Sequence, residues 1–263
     1  MVDKGFAGSI AQHYDDGLAS FIFDDIAADL ARRVAVSAPQ RVLETAAGTG
    51  ILTRALRHAL PAGAELTATD ISPPMLDLAR LRLGGADVDF VIADATDLPF
   101  ADASFDALAC QLGVMFFPDK AQSFAEAKRV LRRGGLYFLN VWDGHKYNPF
   151  GRISHAVVES FFPIDPPQFQ RIPFFYPFEA IKDALLDAGF LEITGTIVRA
   201  DKALPDVARL ARGIVYGSPL IEQIRSRGTV PAEIILAAMT TAFASEFASG
   251  SMPLQALVMS ARA

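Results

Sequence analysis

The chain has 263 residues, 51% of them hydrophobic, and a formal net charge of −6. That length and apolar content suffice for a full core in one large domain or two small ones, while the acidic balance excludes a general basic surface for nucleic acid or anionic membrane. A single cysteine excludes an internal disulfide, and four histidines without compact ligand spacing or an HExxH pattern give no reason to expect a catalytic metal.

Taken in order, the opening residues MVDKGFAGSIAQHYDDG carry no basic segment followed by an apolar core. No apolar run approaches the ~18 residues that span a bilayer, so a cytoplasmic location is expected. Apolar positions at helical spacing over residues 18–36 (Phe21, Ile22, Ile26, Leu30, Val34), with Pro39 beyond them, predict a helix. Residues 41–52, RVLETAAGTGIL, then run from an apolar stretch through a carboxylate and two glycines into a helical pattern. They predict a strand, a tight turn and a helix start, whose free N–H groups and dipole face a cleft. Leu52, Leu56 and Leu60 mark that helix, stopped by Pro61, and residues 64–70 predict a second strand ending at Asp70. Pro73 and Pro74 open another helix, closed by Gly84-Gly85, and residues 88–93 predict a third strand ending at Asp94.

The alternation continues with a fourth strand over 105–112, a helix over 121–131 terminated by Gly134-Gly135, and a fifth strand over 135–142. Near-continuously apolar strands alternating with helices predict an α/β fold, a parallel sheet covered on both faces. Ligands in such sheets sit beyond the strand C-termini, where Glu44, Asp70, Asp94 and Gln111 converge. Cys110, inside FDALACQLGV, is expected as a buried structural thiol. The basic run Lys128-Arg129 with Arg132-Arg133 is expected at a helix C-terminus, where cations suit the dipole, and Asp97, Asp102 and Asp106 are expected in turns and on the surface.

Residues 143–177 break the pattern. They are rich in aromatics and prolines, among them Phe161, Phe162, Phe174 and Phe175, show no sustained period, and predict a cap. A helix over 178–189, a strand over 190–199, a mostly helical stretch over 205–247 and a last strand over 254–260 follow. With no internal repeat or flexible linker, one elaborated domain over 1–263 is expected. Its core covers about 37–142, 178–200 and 253–263, and its cap elements about 1–20, 143–177 and 201–250.

Gly48-x-Gly50 alone fits a dinucleotide site or a purely structural turn. The position of a third glycine is Thr53, however, and Glu44 before the turn repels a pyrophosphate while suiting an amine or a cationic sulfonium. The segments ETAAGTG (44–50), DISPPML (70–76), DATDLPF (94–100) and Phe105-Asp106 to Gln111 closely resemble the class I S-adenosylmethionine-dependent methyltransferases. The subgroup it looks like is the type 11 family, near the quinone-biosynthesis C-methyltransferases. The resemblance covers residues 41–142, with 178–199 and the final strand as framework, and leaves out the cap. It implies a Rossmann-like, seven-stranded, mostly parallel sheet with helices on both faces and the last strand inserted antiparallel, plus a helical, aromatic substrate cap.

The resemblance further implies S-adenosyl-L-methionine as cofactor, with S-adenosyl-L-homocysteine as product. It places Glu44, Ala46, Gly48 and Gly50 around the methionine part, and Asp70 on the ribose hydroxyls. Ile71 and Met75 fall against the adenine faces, Asp94 and Ala95 at its edge, and Gln111 toward the cofactor from the fourth strand. Glycine permits close backbone approach, and a carboxylate accepts two hydroxyls. Ala46 departs from the family, which usually has glycine there. Tyr14, in AQHYDDG, resembles the subgroup's N-terminal tyrosine that closes over the cofactor. On spacing alone Ile71 and Met75 are equally core residues, Asp94 a turn cap and Tyr14 a surface residue.

The reaction so implied is in-line methyl transfer to a small apolar or aromatic molecule, requiring alignment and exclusion of water but neither metal nor covalent intermediate. No catalytic residue is assigned, and His13, Tyr14 and His145 are candidate bases. Two other readings stand beside it: an NAD(P)-dependent oxidoreductase, and a catalytically silent S-adenosylmethionine-binding or partner protein. Neither nucleic acid nor a membrane span is expected as a partner.

Overall fold

Alternating apolar strands and capped helices form the elements that the periodicity predicts, with instructive exceptions. The computed structural model describes residues 9–174 and 176–263, apart from the side chain of Ser20. Expectations for residues 1–8 and for Phe175 lie outside the described residues. In chain order the elements are α1 (Ser9–Leu18), a π-helical turn Ala19–Phe23, α2 (Asp24–Val36), β1 (Arg41–Thr45), α3 (Ile51–Ala59), β2 (Glu65–Asp70), α4 (Pro73–Leu83), β3 (Asp89–Ile92), β4 (Phe105–Gln111), α5 (Lys120–Val130) and β5 (Leu131–Trp142). There follow α6 (Pro149–Phe161), α7 (Phe178–Asp187), β6 (Leu191–Ala203), α8 (Val207–Tyr216), α9 (Leu220–Arg227), α10 (Ala232–Glu246) and β7 (Ser251–Arg262).

The seven strands form one sheet in the order β3-β2-β1-β4-β5-β7-β6. β1 pairs in parallel with β2 and β4, β2 with β3, and β4 with β5. β7 runs antiparallel to β5, from Leu136 opposite Arg262 to Trp142 opposite Ala256. The core along these strands is closed to solvent at Leu43, Leu66, Leu108 and Leu139.

The chain divides into two compact units. A sheet unit comprises residues 25–142, 176–198 and 256–263, and a helical unit residues 1–24, 143–175 and 199–255. In the helical unit, α1 meets α8 at paired glycines so closely that a Cβ on Gly17 would stand 2.4 Å from Gly213 Cα. Among the described residues no helix is long and apolar enough to cross a membrane.

Three expectations change. The helix predicted from residue 18 is interrupted: a π-helical turn separates α1 from α2. Gly134-Gly135 do not end the helix before them. α5 stops at Val130, and the glycines lie within β5 where the register jumps from Phe105↔Leu131 to Ala107↔Leu136, a bulge that uses the positive φ of Gly134. The stretch after β5 contains a regular helix, α6, with Pro149 at its first turn and Phe150, Ile153, Ser154 and Val158 buried at helical spacing. Gly151 lets that helix rest on the ring of Phe174, which a Cβ would meet at 2.1 Å.

Candidate functional site

The turn between β1 and α3 takes its shape from three residues at positive φ: Ala46 at 54°, Gly48 at 56° and Gly50 at 83°. Gly50 also lets α3 approach α4, since a Cβ there would meet Leu83 Cδ1 at 2.9 Å and Ala79 Cβ at 3.0 Å. A Cβ on Gly48 would meet nothing within 4 Å, so this residue keeps an open space above the turn. The turn is tied to β2 by Ala47 N–H donating to Thr69 O (2.9 Å), Thr69 Oγ1 to Glu44 O (2.9 Å), and Gly48 N–H to Asp70 Oδ2 (2.8 Å). Asp70 Oδ1 accepts from Ser72 N–H (2.8 Å). Its carboxylate is thus oriented by two backbone amides, and each oxygen can accept a second bond.

The strand register brings the polar residues together. Glu44 lies opposite Ala68 and Ala109, and Gln111 opposite Asn140. Paired residues of adjoining parallel strands share a face, as do residues two apart along a strand. Glu44, Asp70, Gln111 and Asn140 therefore project from one face of the sheet at its C-terminal rim. Glu44 is 1% exposed, and its Oε2 has no hydrogen-bonding partner among the described residues. Burial pushes its carboxyl up to about 8, with the nearby charge of Asp70 adding to the rise and Thr53 opposing it. Gln111 Oε1 and Asn140 Nδ2 are likewise buried and without a partner among the described residues. Buried polar atoms are rarely left so, which marks this rim as the candidate site. Among the described residues no group of three or more His, Cys, Asp or Glu is placed to hold a metal ion.

The remaining expected residues fall as follows. Met75 is buried at the start of α4, and Ile71 is 39% exposed just before it. Asp94 closes a local turn, its Oδ1 accepting from Thr96 N–H (2.8 Å) and Thr96 Oγ1 (2.7 Å), with half-buried Ala95 between them. Tyr14 belongs to the helical unit and stacks on Phe23 at 5.3 Å, while His13 packs against Tyr216 at 5.7 Å. His145, also in that unit, lies 4.6 Å from Phe174 and 5.6 Å from His155, and burial together with that second histidine lowers its pKa. Cys110 is buried, and burial raises its thiol to about 11, which keeps it protonated and inert.

Two polar expectations are corrected. Asp106 is not a surface residue. It is 8% exposed, and its Oδ2 accepts from Gln40 N–H (2.7 Å) and Arg41 N–H (2.9 Å) while Oδ1 meets Arg132 Nε at 3.0 Å. Of the basic run, only Lys128 and Arg129 end a helix. Arg132 and Arg133 lie in β5, and Arg129 is engaged by Glu126 and Asp102 and donates to the carbonyls of Leu98 and Phe100. Sequence reasoning missed Asn140 altogether. It stands in the apolar run YFLNVW, where one polar residue in a central strand was the only available signal.

Residues 43–139 match the family described as methyltransferase domain. A demethylmenaquinone methyltransferase from Clavibacter sepedonicus is 46% identical over 105 residues, which cover 40% of this chain and 42% of that relative. The match thus spans less than half of the relative's length. Among solved structures, a Haemonchus contortus phosphoethanolamine N-methyltransferase 2 in complex with S-adenosyl-L-methionine aligns over 95% of this chain and 56% of its own, at 18% identity and a TM-score of 0.61. The [4+2]-cyclase SpnF aligns over 90% of this chain and 80% of its own, at 18% identity and a TM-score of 0.56. At these identities the structural likenesses establish the shared fold.

Proposed function

We propose, from the premise that residues 43–139 are a methyltransferase domain, that the chain is a cytoplasmic enzyme transferring a methyl group from S-adenosyl-L-methionine to a small apolar or aromatic molecule. The observation that carries this reading is the rim itself: two carboxylates, Glu44 and Asp70, on one sheet face beside a turn left open by Gly48. The donor set fits the cofactor. Asp70, already aimed by Gly48 and Ser72, accepts the two ribose hydroxyls. Glu44 offers an unpartnered oxygen to the ammonium of the amino-acid part, and Gln111 Oε1 faces the same region. Ala46, Gly48 and Gly50 let the backbone approach that part closely. Ile71 and Met75 flank the adenine, with Asp94 and Ala95 at its edge, where Asp94 Oδ2 is the oxygen not committed to Thr96.

The bound cofactor supplies an electrophilic methyl carbon on a cationic sulfur. The chain's own contribution is to hold that carbon in line with the acceptor and to keep water away from it, effects that together account for several powers of ten in rate. A nicotinamide dinucleotide is disfavoured by Thr53 at the third-glycine position. The name of the 46% identical relative, a demethylmenaquinone methyltransferase, supports an aromatic acceptor. The likeness to a cyclase shows why fold alone does not decide turnover.

Calorimetry with S-adenosylhomocysteine tests the assignment. Wild-type protein should bind it and not NAD. Asp70→Ala should weaken binding by about 100-fold, the loss of two hydrogen bonds to a charged group, with its circular dichroism unchanged. Equal affinity in the variant rejects the ribose site. Incubation with labelled S-adenosylmethionine and a small-molecule cell extract then separates an enzyme, which labels a product, from a silent binding protein, which does not.

A further inference from the structure

Within the helical unit, the end of α8, the second half of α9 and the first turn of α10 surround a cavity of about 330 Å³ that opens to solvent. That size falls at the lower end of small-molecule sites. Local sequence shapes it. α9 ends at Gly228, which takes a left-handed conformation (φ 65°), Pro231 precedes α10, and the short link over residues 228–231 forms one wall. A Cβ on Gly228 would meet nothing within 4 Å.

The lining combines an apolar part with two opposite charges. Ile224, 1% exposed, lies with Val230 and Pro231, while Arg225 comes from α9 and Glu233 from α10. Neither charge is committed to the other: Arg225 Nη1 meets Glu222 Oε1 at 3.0 Å, and Tyr216 Oη donates to Glu233 Oε1 at 2.9 Å. Both keep bonding capacity, since a guanidinium has five N–H donors and a carboxylate a second oxygen. The backbone N–H of Glu233 and the hydroxyl of Tyr216 hold the Glu233 carboxyl below the usual carboxylate range, and the charge of Arg225 adds to this. Glu233 is therefore ionised at neutral pH, within electrostatic reach of a cation that it does not touch.

We infer that this cavity binds an α-amino acid with an apolar side chain. Its carboxylate meets Arg225, its ammonium meets Glu233, and its side chain lies against Ile224, Val230 and Pro231. A ligand carrying both charges one carbon apart bridges an anion and a cation that stand separated, whereas a ligand of one sign satisfies one wall and is opposed by the other. The site shares no residue with those assigned to S-adenosylmethionine, so its test does not depend on that assignment.

The probe is L-leucine, titrated by calorimetry against the full chain, with 4-methylpentanoate and 3-methylbutylamine as controls that lack the ammonium and the carboxylate. L-Leucine should bind, and each control at least ~10-fold more weakly, the loss of one hydrogen-bonded charge. Arg225→Met and Glu233→Gln should each weaken L-leucine by at least ~10-fold, and Arg225→Met should leave 3-methylbutylamine as it was. Both side chains are largely exposed, so the circular dichroism of the variants should match wild type. No heat from L-leucine up to tens of millimolar, controls that bind as tightly as L-leucine, or unchanged affinity in either variant overturns the inference.

Discussion

At the scale of single residues, the departure of Ala46 from glycine has a visible compensation. Ala46 adopts φ 54°, and its methyl is accommodated because position 113 is glycine: a Cβ at Gly113 would stand 2.5 Å from Ala46 Cβ and 2.9 Å from Cys110 Sγ. Gly113 itself has φ −92°, so space rather than backbone conformation requires it. Gly113→Ala should therefore cost about 1–3 kcal/mol as an overpacked site. Ala46→Gly should be close to neutral, since relief of about 1–2 kcal/mol of left-handed strain is offset by about 0.5–1 kcal/mol of added freedom in the unfolded chain. In the double variant one of the two clashes is gone, so urea unfolding should show it less destabilised than the sum of the singles by about 1 kcal/mol. Additivity within ~0.3 kcal/mol would mean that the two positions do not meet.

Among elements, Asp106 shows how one side chain sets strand geometry. Its carboxylate accepts the amides of Gln40 and Arg41 at the start of β1 and meets Arg132 in the bulged part of β5. Asp106→Ala leaves two amides unpaired beside the core and should lower unfolding free energy by roughly 2–4 kcal/mol. Arg132→Ala, on a 60% exposed arm, should cost under ~1 kcal/mol, and equal losses in the two variants would contradict this division. Sequence patterns made the strands and the turn legible because those depend on local periodicity and on glycine: Glu44 and Asp70 lie toward the ends of β1 and β2, and Gly48 and Gly50 in the turn that follows β1, as expected. They did not reveal α6, whose buried Phe150, Ile153 and Val158 sit among prolines and aromatics that mask their period. Nor did they reveal Asp106 or Asn140, since a polar residue inside an apolar strand acquires its meaning from partners on other strands, and register is a tertiary property.

For the molecule as a whole, a buried proton couples the site to the folding equilibrium. Glu44 has its carboxyl raised to about 8 against a reference of 4.5, mainly by burial, and among the described residues the titratable groups it interacts with are Asp70 on β2 and Cys110, on the opposite face of β4. Cys110 stays protonated below about 11, and Asp70 adds negative charge, so neither offers Glu44 a cation. Between pH 4.5 and 8 the native state then holds a proton that the unfolded chain has released. Stability from this group is complete below the lower value and falls as pH rises through the upper one. Its full size is on the order of a few kcal/mol. Glu44→Gln keeps the shape and removes the proton, and contributions common to both proteins cancel in the difference between them. The thermal midpoint of wild type should therefore fall steadily relative to Glu44→Gln from pH 5 to pH 8. Saturating S-adenosylhomocysteine should narrow that gap, because an ammonium beside Glu44 favours the ionised carboxylate. Midpoints that run parallel across this range would show that Glu44 is already ionised in the folded protein, and would leave its unpartnered oxygen without a proton to lose.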